Sequence, residues 1–367
     1  MTATVVKGSG TAYTGVTGTV TSHTDEHYFR EFAEAVFDQT AVLKALSSKA
    51  WAKKDNYGNK NAKTKNGVMF YDGFQFSGRL ATTAPSATKV AKGGTLDRHE
   101  RDDWTGWAYD DIRLAIPLAI EDMDIEDNSG MAKLASLTSD ELKLASAGMA
   151  DDINKLFLGT STAVDTTIGL PYMTSVTQTG SIGGIARTNS YWKNWHKEVT
   201  DAGGGGDYDK PLNLYRAILA AFVGTSGYAS VNGPDLCVSN IGAFLTLARM
   251  SESLFGLVDK KGSEALHALG VNNYLVNGAP LIHDTAATKP WGGTDGDFIY
   301  GINTNCTGLA FKRNSYMKIK PWVAPDGASD DFYHKSVIVT RVTPYCKDRR
   351  ANFAIHGLTA NTEATSD

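Results

Sequence analysis

Cysteine is scarce in this chain, and what there is forms no pattern. Cys237, Cys306 and Cys346 lie far apart, with no Cys-x-x-Cys pair and no even framework. That excludes a disulfide-stapled scaffold and makes reduced thiols in a cytosol-like compartment the expectation. Long apolar runs are missing as well. None approaches the ~20 residues that a membrane-spanning helix needs, so no membrane association is expected. The N-terminus has no charged start followed by an apolar stretch, so no signal peptide is expected. A basic excess is also missing. The formal net charge is −4 and the sequence pI is near 6.1, which argues against a dedicated nucleic-acid binder.

The phrases that carry catalysis are absent too. There is no Gly-x-x-x-x-Gly-Lys-Ser/Thr loop for phosphate, no Gly-x-Gly-x-x-Gly opening a helix after a strand, and no Gly-x-Ser-x-Gly elbow. His23 and His27 flank Thr24-Asp25-Glu26 but lack the His-Glu-x-x-His order of a zinc site. Glu121, Asp122, Asp124, Glu126 and Asp127 cluster without the spacing of a calcium loop, and are expected to be a solvated connector. No catalytic residue, metal or cofactor is assigned, and the chain is expected not to be an enzyme. A hydrolase or sugar-binding protein using these carboxylates and Trp104, Trp107, Trp192 and Trp195 stays as a remote alternative. Those tryptophans are expected to bury against a sheet or at an interface rather than to stack on a ligand.

What is present is enough material for two or three structural units. The chain has 367 residues, 42% of them hydrophobic, and 37 glycines that point to many turns. Its centre is a long amphipathic helix. Ser129 suits the N-cap, Leu134, Leu142, Ala145, Met149, Ile153 and Leu156 recur at helical spacing, and Gly159 suits the stop. At 1.5 Å per residue the helix spans about 42 Å, long enough to act as a strut. Beyond it stands Gly180-Ser-Ile-Gly-Gly-Ile-Ala-Arg-Thr-Asn-Ser-Tyr-Trp-Lys-Asn-Trp195, a glycine pair beside arginine and aromatics. Such a stretch needs unusual backbone next to a packed aromatic cluster.

The remaining elements follow in order. Residues 1–22 read as an arm with little to bury. A helix is expected from Thr24-Asp25 to about Leu46, with Phe29, Phe32, Val36 and Phe37 on one face. Residues 52–66 are polar and basic. Val68–Phe76 reads as a strand or strand pair and the run from Trp104 as extended, and around a polar tip at 81–94 they make a long hairpin. Asp201-Ala-Gly-Gly-Gly-Gly-Asp207 is a linker. Helices are expected at 214–223 and 241–250, strands at 235–239, 274–276, 280–283, 298–303, 336–343 and 352–357, and an exposed loop at 288–297. Charge shifts sign along the chain. Residues 41–101 hold 12 Lys or Arg against 4 Asp or Glu, whereas 102–167 hold 4 against 14. Either two faces neutralise each other, or a basic arm lies on an acidic surface of a neighbouring subunit. The second arrangement makes assembly salt-sensitive.

The long helix, then Leu156-Phe-Leu-Gly159, then Gly169-Leu-Pro171, then Gly183-Gly-Ile-Ala-Arg187 ahead of Tyr191-Trp-Lys-Asn194, resembles the major capsid proteins of tailed bacteriophages. The closing Asp348-Arg-Arg-Ala-Asn-Phe-Ala-Ile-His-Gly357 resembles them as well. Relatives usually carry Asp where this chain has Ala186, and Trp-Trp where it has Tyr191-Trp192. The resemblance implies an α+β Hong Kong 97-like capsid fold. Its parts would be an N-terminal arm with a helix (1–51), an extended β-hairpin loop (52–110), a peripheral domain with a spine helix at 130–158 (111–210 and 332–367), and an axial α/β domain (211–331). It implies self-assembly into pentamers and hexamers of an icosahedral shell, located in the virion after assembly in the host cytoplasm. The shell would enclose double-stranded DNA without sequence-specific binding. The implied self-assembly contacts are Gly183, Gly184, Ile185, Arg187, Tyr191, Trp192 and Asn194, with the glycines permitting a tight turn that Arg187 and Trp192 fix. The implied extended-loop contacts are Arg79, Lys89, Lys92, Arg98 and Arg101. A portal protein is an implied partner, and a decoration protein a further one. The chain carries no long charge-rich N-terminal extension, so a separate scaffolding protein is expected. Some relatives join a loop lysine to an asparagine of a neighbour, for which Lys89, Lys92 and Asn352 are candidates. A protein-filled nanocompartment shell of the same fold is the nearer alternative.

Overall fold

The computed structural model describes residues 36, 40–51, 67–82, 103–127, 131–159, 169–177, 179–199, 209–226, 233–253, 274–293, 295–323 and 332–358. The expected arm, the helix start at Thr24-Asp25, the basic run 52–66, the hairpin tip and the glycine linker lie outside them. In chain order the elements begin with helix α1 (Ala41–Trp51) and strands β1 (Val68–Tyr71), β2 (Phe76–Ala81), β3 (Trp104–Tyr109) and β4 (Ile112–Glu121). Helices α2 (Asp122–Asp127), α3 (Met131–Leu158) and α4 (Leu170–Met173) follow, then β5 (Ser181–Ile182), β6 (Ile185–Ala186) and β7 (Trp195–Glu198). Next come α5 (Asp209–Ser226), β8 (Leu236–Ser239), α6 (Ile241–Ser253), β9 (Tyr274–Val276), β10 (Ala279–His283) and β11 (Asp297–Ile302). The last are β12 (Thr307–Lys312), β13 (Lys318–Ile319), β14 (Tyr333–Cys346) and β15 (Phe353–Leu358).

These elements fall into two compact units. One takes Ile112–Ile153 and Phe311–Val342, the other Ala41–Asp111, Asn154–Ala310 and the chain from Thr343 onward. In the first, β4 runs antiparallel to β14 from Ile112↔Val342 to Glu121↔Tyr333. β13 adds at Lys318↔Val339 and Ile319↔Ile338. Leu114, Leu118 and Ile120 are buried on one face of β4, as the period of two requires. The helix α3 presents Leu142, Ala145, Met149 and Ile153 inward, with Asp140, Lys143, Asp151 and Asp152 outward. It ends as expected at Gly159, whose φ is +83°. The acidic run spans the last residue of β4, Glu121, and the short helix α2, whose Asp122 accepts a contact from the buried His334 ring at 3.3 Å.

The second unit is built on a six-stranded sheet in the order β7-β15-β11-β8-β10-β9. β7 runs parallel to β15 and β8 parallel to β10. One face is packed by Leu214, Ile218 and Phe222 of α5 and Phe244 and Leu247 of α6, against Cys237, Leu281, Ile299, Phe353 and Ile355. The turn after β10 is tied down. Asn154 Nδ2 donates to both Asp284 carboxylate oxygens at 3.1 Å, the Tyr300 hydroxyl donates to the Thr288 carbonyl, and Thr288 Oγ1 donates to Leu158 O at 3.0 Å. The expected exposed loop 288–297 carries no helix or strand before Asp297 among its described residues, although Pro290 within it is buried.

The expected hairpin differs in its first arm. β2 pairs with β3 from Phe76↔Tyr109 to Ala81↔Trp104. β1 instead neighbours β12 in a separate sheet, and Leu309 N–H donates to Gly67 O at 2.7 Å. The break is at Asp72–Gln75, where Gly73 at φ +121° turns the chain.

Candidate functional site

The glycine stretch folds into a miniature hairpin. Ser181 pairs with Ala186 and Ile182 with Ile185, leaving Gly183 and Gly184 as the two turn residues at φ +57° and +82°. A two-residue turn of this hand needs positive φ at both central positions, which explains the pair. The turn is docked. Ala108 N–H of β3 donates to Gly183 O at 3.1 Å, and the Tyr172 hydroxyl donates to Ser181 O at 3.4 Å. Ile182 and Ile185 enter one core with Phe76, Leu80, Trp107, Tyr109, Met173, Trp192 and Tyr345. The foot of the β2–β3 hairpin and the glycine turn therefore share their packing.

Arg187 closes the hairpin through its N–H to Gly180 O at 3.0 Å. Its guanidinium lies 3.9 Å from the centroid of the Tyr172 ring, a cation–π stack, and Nη1 donates to Thr177 O at 3.4 Å. Trp192 is fully buried, and its backbone N–H donates to Asn189 O at 2.9 Å to close a single 3-10 turn. Asn189 Nδ2 reaches the Tyr191 hydroxyl at 2.9 Å, and Asn194 Nδ2 donates to Thr174 O at 2.9 Å.

Sequence reasoning missed the residue on which this cluster converges. Arg349 is 1% exposed. Its Nε donates to Met173 O at 2.6 Å, Nη1 to Trp192 O at 3.0 Å and Nη2 to Asn194 Oδ1 at 2.7 Å, with Ser175 O and Oγ at 3.5 and 3.4 Å. Burial pushes its guanidinium down to about 10, which leaves it protonated at neutral pH. The neighbouring carboxylate is engaged elsewhere, since Arg350 forks onto Asp348 at 2.9 and 2.8 Å. The sequence offers one aspartate followed by two arginines, and the structure gives it to Arg350.

Gly183, Gly184, Ile185, Arg187, Tyr191, Trp192 and Asn194 are thus brought together, but not all face outward. Ile185, Arg187, Trp192 and Asn194 are buried within the chain, so they support the turn instead of presenting a surface. Gly180, Ser181, Gly184, Ala186, Thr188, Ser190 and Lys193 are the exposed residues of the stretch. Arg79 stands on the exposed face of β2, opposite Gly106. Lys89, Lys92, Arg98 and Arg101 lie outside the described residues. Asn352 does not suit a cross-link, because its side chain is spent inside the chain. Oδ1 accepts from Asn303 N–H at 3.0 Å, and Nδ2 donates to Thr307 Oγ1 at 2.7 Å. Of the tryptophans, Trp107 and Trp192 are buried, Trp195 is half-buried against Phe353, and Trp104 is 60% exposed. Among the described residues no group of three His, Cys, Asp or Glu is placed to hold a metal ion.

No protein-family model matches the sequence, and no curated protein does. Solved structures do resemble it. The capsid asymmetric unit of cyanophage A-1(L) superposes with a TM-score of 0.56 at 16% identity, covering 84% of this chain and 97% of that one. The capsid of cyanophage P-SCSP1u gives 0.50 at 10% identity, over 84% of this chain and 94% of that one. An encapsulin complex from Synechococcus elongatus gives 0.48 at 10% identity, over 80% and 87%. The chain therefore has the α+β Hong Kong 97-type capsid fold.

Proposed function

We propose that this protein is the major capsid protein of a tailed bacteriophage, a structural and non-enzymatic subunit that assembles into pentamers and hexamers of an icosahedral shell around double-stranded DNA. The observation that carries the proposal is the capsid fold, matched over 84% of the chain. On this reading residues 1–51 are an arm, 52–110 an extended loop, 111–210 with 332–367 a peripheral domain, and 211–331 an axial domain. The extended loop would engage a neighbour through Arg79, Lys89, Lys92, Arg98 and Arg101. The exposed edge of the glycine turn would meet a second copy, with Arg187 and Trp192 fixing the turn from behind. Trp104, 60% exposed at the start of β3, and Phe74, 85% exposed in the bend before β2, are large apolar side chains that a partner would cover. Heterologous contacts of this kind close into rings and shells when the rotation returns on itself. Scaffolding and portal proteins are the expected partners during assembly in the host cytoplasm, a decoration protein is a further one, and the virion is the final location. Among the described residues no helix is long and apolar enough to cross a membrane.

Electron microscopy of the purified full chain, at physiological and at high salt, tests the proposal. Closed shells of uniform wall thickness that come apart at high salt are expected. A monodisperse monomer at high concentration under both conditions sinks it. Closed shells that hold a protein cargo and no nuclease-protected DNA replace it with a nanocompartment shell.

A further inference from the structure

Both stems of the loop that carries the glycine turn are held by one side chain. The segment 173–175 leads into the turn and the segment 192–194 leads out of it. Arg349 donates to Met173 O and Ser175 O on the first, and to Trp192 O and Asn194 Oδ1 on the second. It reaches them from a single 3-10 turn, Arg349–Ala351, set between β14 and β15. That turn is itself fixed. Asp348 caps it by accepting from Arg350 N–H at 3.0 Å, and Asn352 N–H donates to Arg349 O at 3.1 Å. Among the described residues the guanidinium is buried without a carboxylate partner, beside a second buried cation, Arg187. A buried unpaired charge is costly, and here it is offset only by the several acceptors converging on a planar fork. A packing role needs no charge, because an apolar side chain would fill the space at less cost. What the fork supplies is geometry, namely a fixed separation and angle between the two stems.

We infer that Arg349 is a positioning residue for assembly, which sets the pose of the glycine turn and through it the angle at which one copy meets the next. The inference rests on the proposed shell function, and it adds a determinant of shell curvature that the sequence motif does not contain.

The test compares full-length wild-type chain with Arg349→Lys, Asn194→Ala and a control, Phe222→Leu, in the core of the six-stranded sheet. Arg349→Lys keeps the charge and loses the fork. Asn194→Ala removes one acceptor of Arg349 together with the Nδ2 bond to Thr174 O, and is the milder variant if Arg349→Lys does not fold. Assembly is run well below each melting temperature, and particles are sized by electron microscopy and sedimentation. The yield of uniform closed shells is expected to fall by about tenfold or more for Arg349→Lys, the factor that one lost charge-assisted hydrogen bond represents. Open sheets, tubes or shells of mixed diameter should replace them, with a weaker shift in the same direction for Asn194→Ala. The control, destabilised by packing alone, should give wild-type diameters. Variant particles indistinguishable from the control's overturn the inference and leave the shell function standing. Wild-type chain that forms no closed particle overturns both.

Discussion

The Tyr109 ring occupies the space that a side chain at Gly183 would need. A Cβ built on Gly183 would stand 2.9 Å from Tyr109 Cζ, and the ring cannot retreat freely because its hydroxyl donates to Cys346 O at 2.7 Å. Gly184, one residue on, has nothing within 4 Å of such a Cβ. The two glycines therefore make separable predictions.

Gly184→Ala should cost only the strain of a side chain at positive φ, about 1–2 kcal/mol. Gly183→Ala should cost that strain plus about 1–3 kcal/mol for displacing the Tyr109 ring. Chemical denaturation of the two variants checks the order. Equal losses would mean that the ring is not the constraint. Because position 184 faces outward, its substitution should disturb assembly more than its small stability loss accounts for, read as particle yield at matched folded fraction.

Gly78 and Trp107 form a second close pair. They stand opposite one another in the β2–β3 ladder, and the indole lies flat over the glycine, so that a Cβ there would overlap the ring. Trp107 is buried with Phe76, at 5.3 Å between ring centroids, and with Tyr109, at 5.8 Å. Gly78→Ala should expel the indole and cost about 1–3 kcal/mol through overpacking. A red shift of tryptophan emission in the folded variant should accompany the loss. An unchanged spectrum would show that the strand yields instead of the ring.

The architecture was legible where a local pattern sufficed. The stripe Leu142, Ala145, Met149 and Ile153 and the stop at Gly159 define α3 without reference to the rest of the chain. The glycine pair announces a turn because few other residues accept its backbone angles. Arg349 was not legible in the same way, because its partners lie 176 and 155 residues away and are largely backbone carbonyls, which every sequence has. The division between β1 and β2 stayed an open alternative, a strand or a strand pair, because aromatic content is continuous from Met69 to Phe76 and only Gly73 marks the bend. β12, Thr-Gly-Leu-Ala-Phe-Lys, lacks the β-branched density that identifies a strand, and gains its conformation from the sheet it joins. The outward or inward facing of the motif residues depends on Tyr109 and Tyr172, which the motif does not include.

Two histidines on adjacent strands give the fold an acid sensitivity of definite sign. His196 on β7 is aligned with Ala354, and His356 on β15 with Glu198, so all four share one face of the parallel pair. Burial lowers the pKa of both rings below the ordinary value of 6.5. Arg349 pushes His196 further down while a contact with the Asn194 backbone opposes it, and His196 pushes His356 down while Glu198 opposes it. Since the unfolded chain keeps the higher pKa, it binds protons first as pH falls. Stability should therefore be level above about pH 6.5 and decline below it until the folded rings protonate. Denaturation curves at pH 7.5, 6.5 and 5.5 check the slope. The double variant His196→Gln, His356→Gln should flatten it between 6.5 and 5.5, with carboxylate titration left to act at lower pH. A slope that survives the double variant unchanged assigns the acid response to other groups.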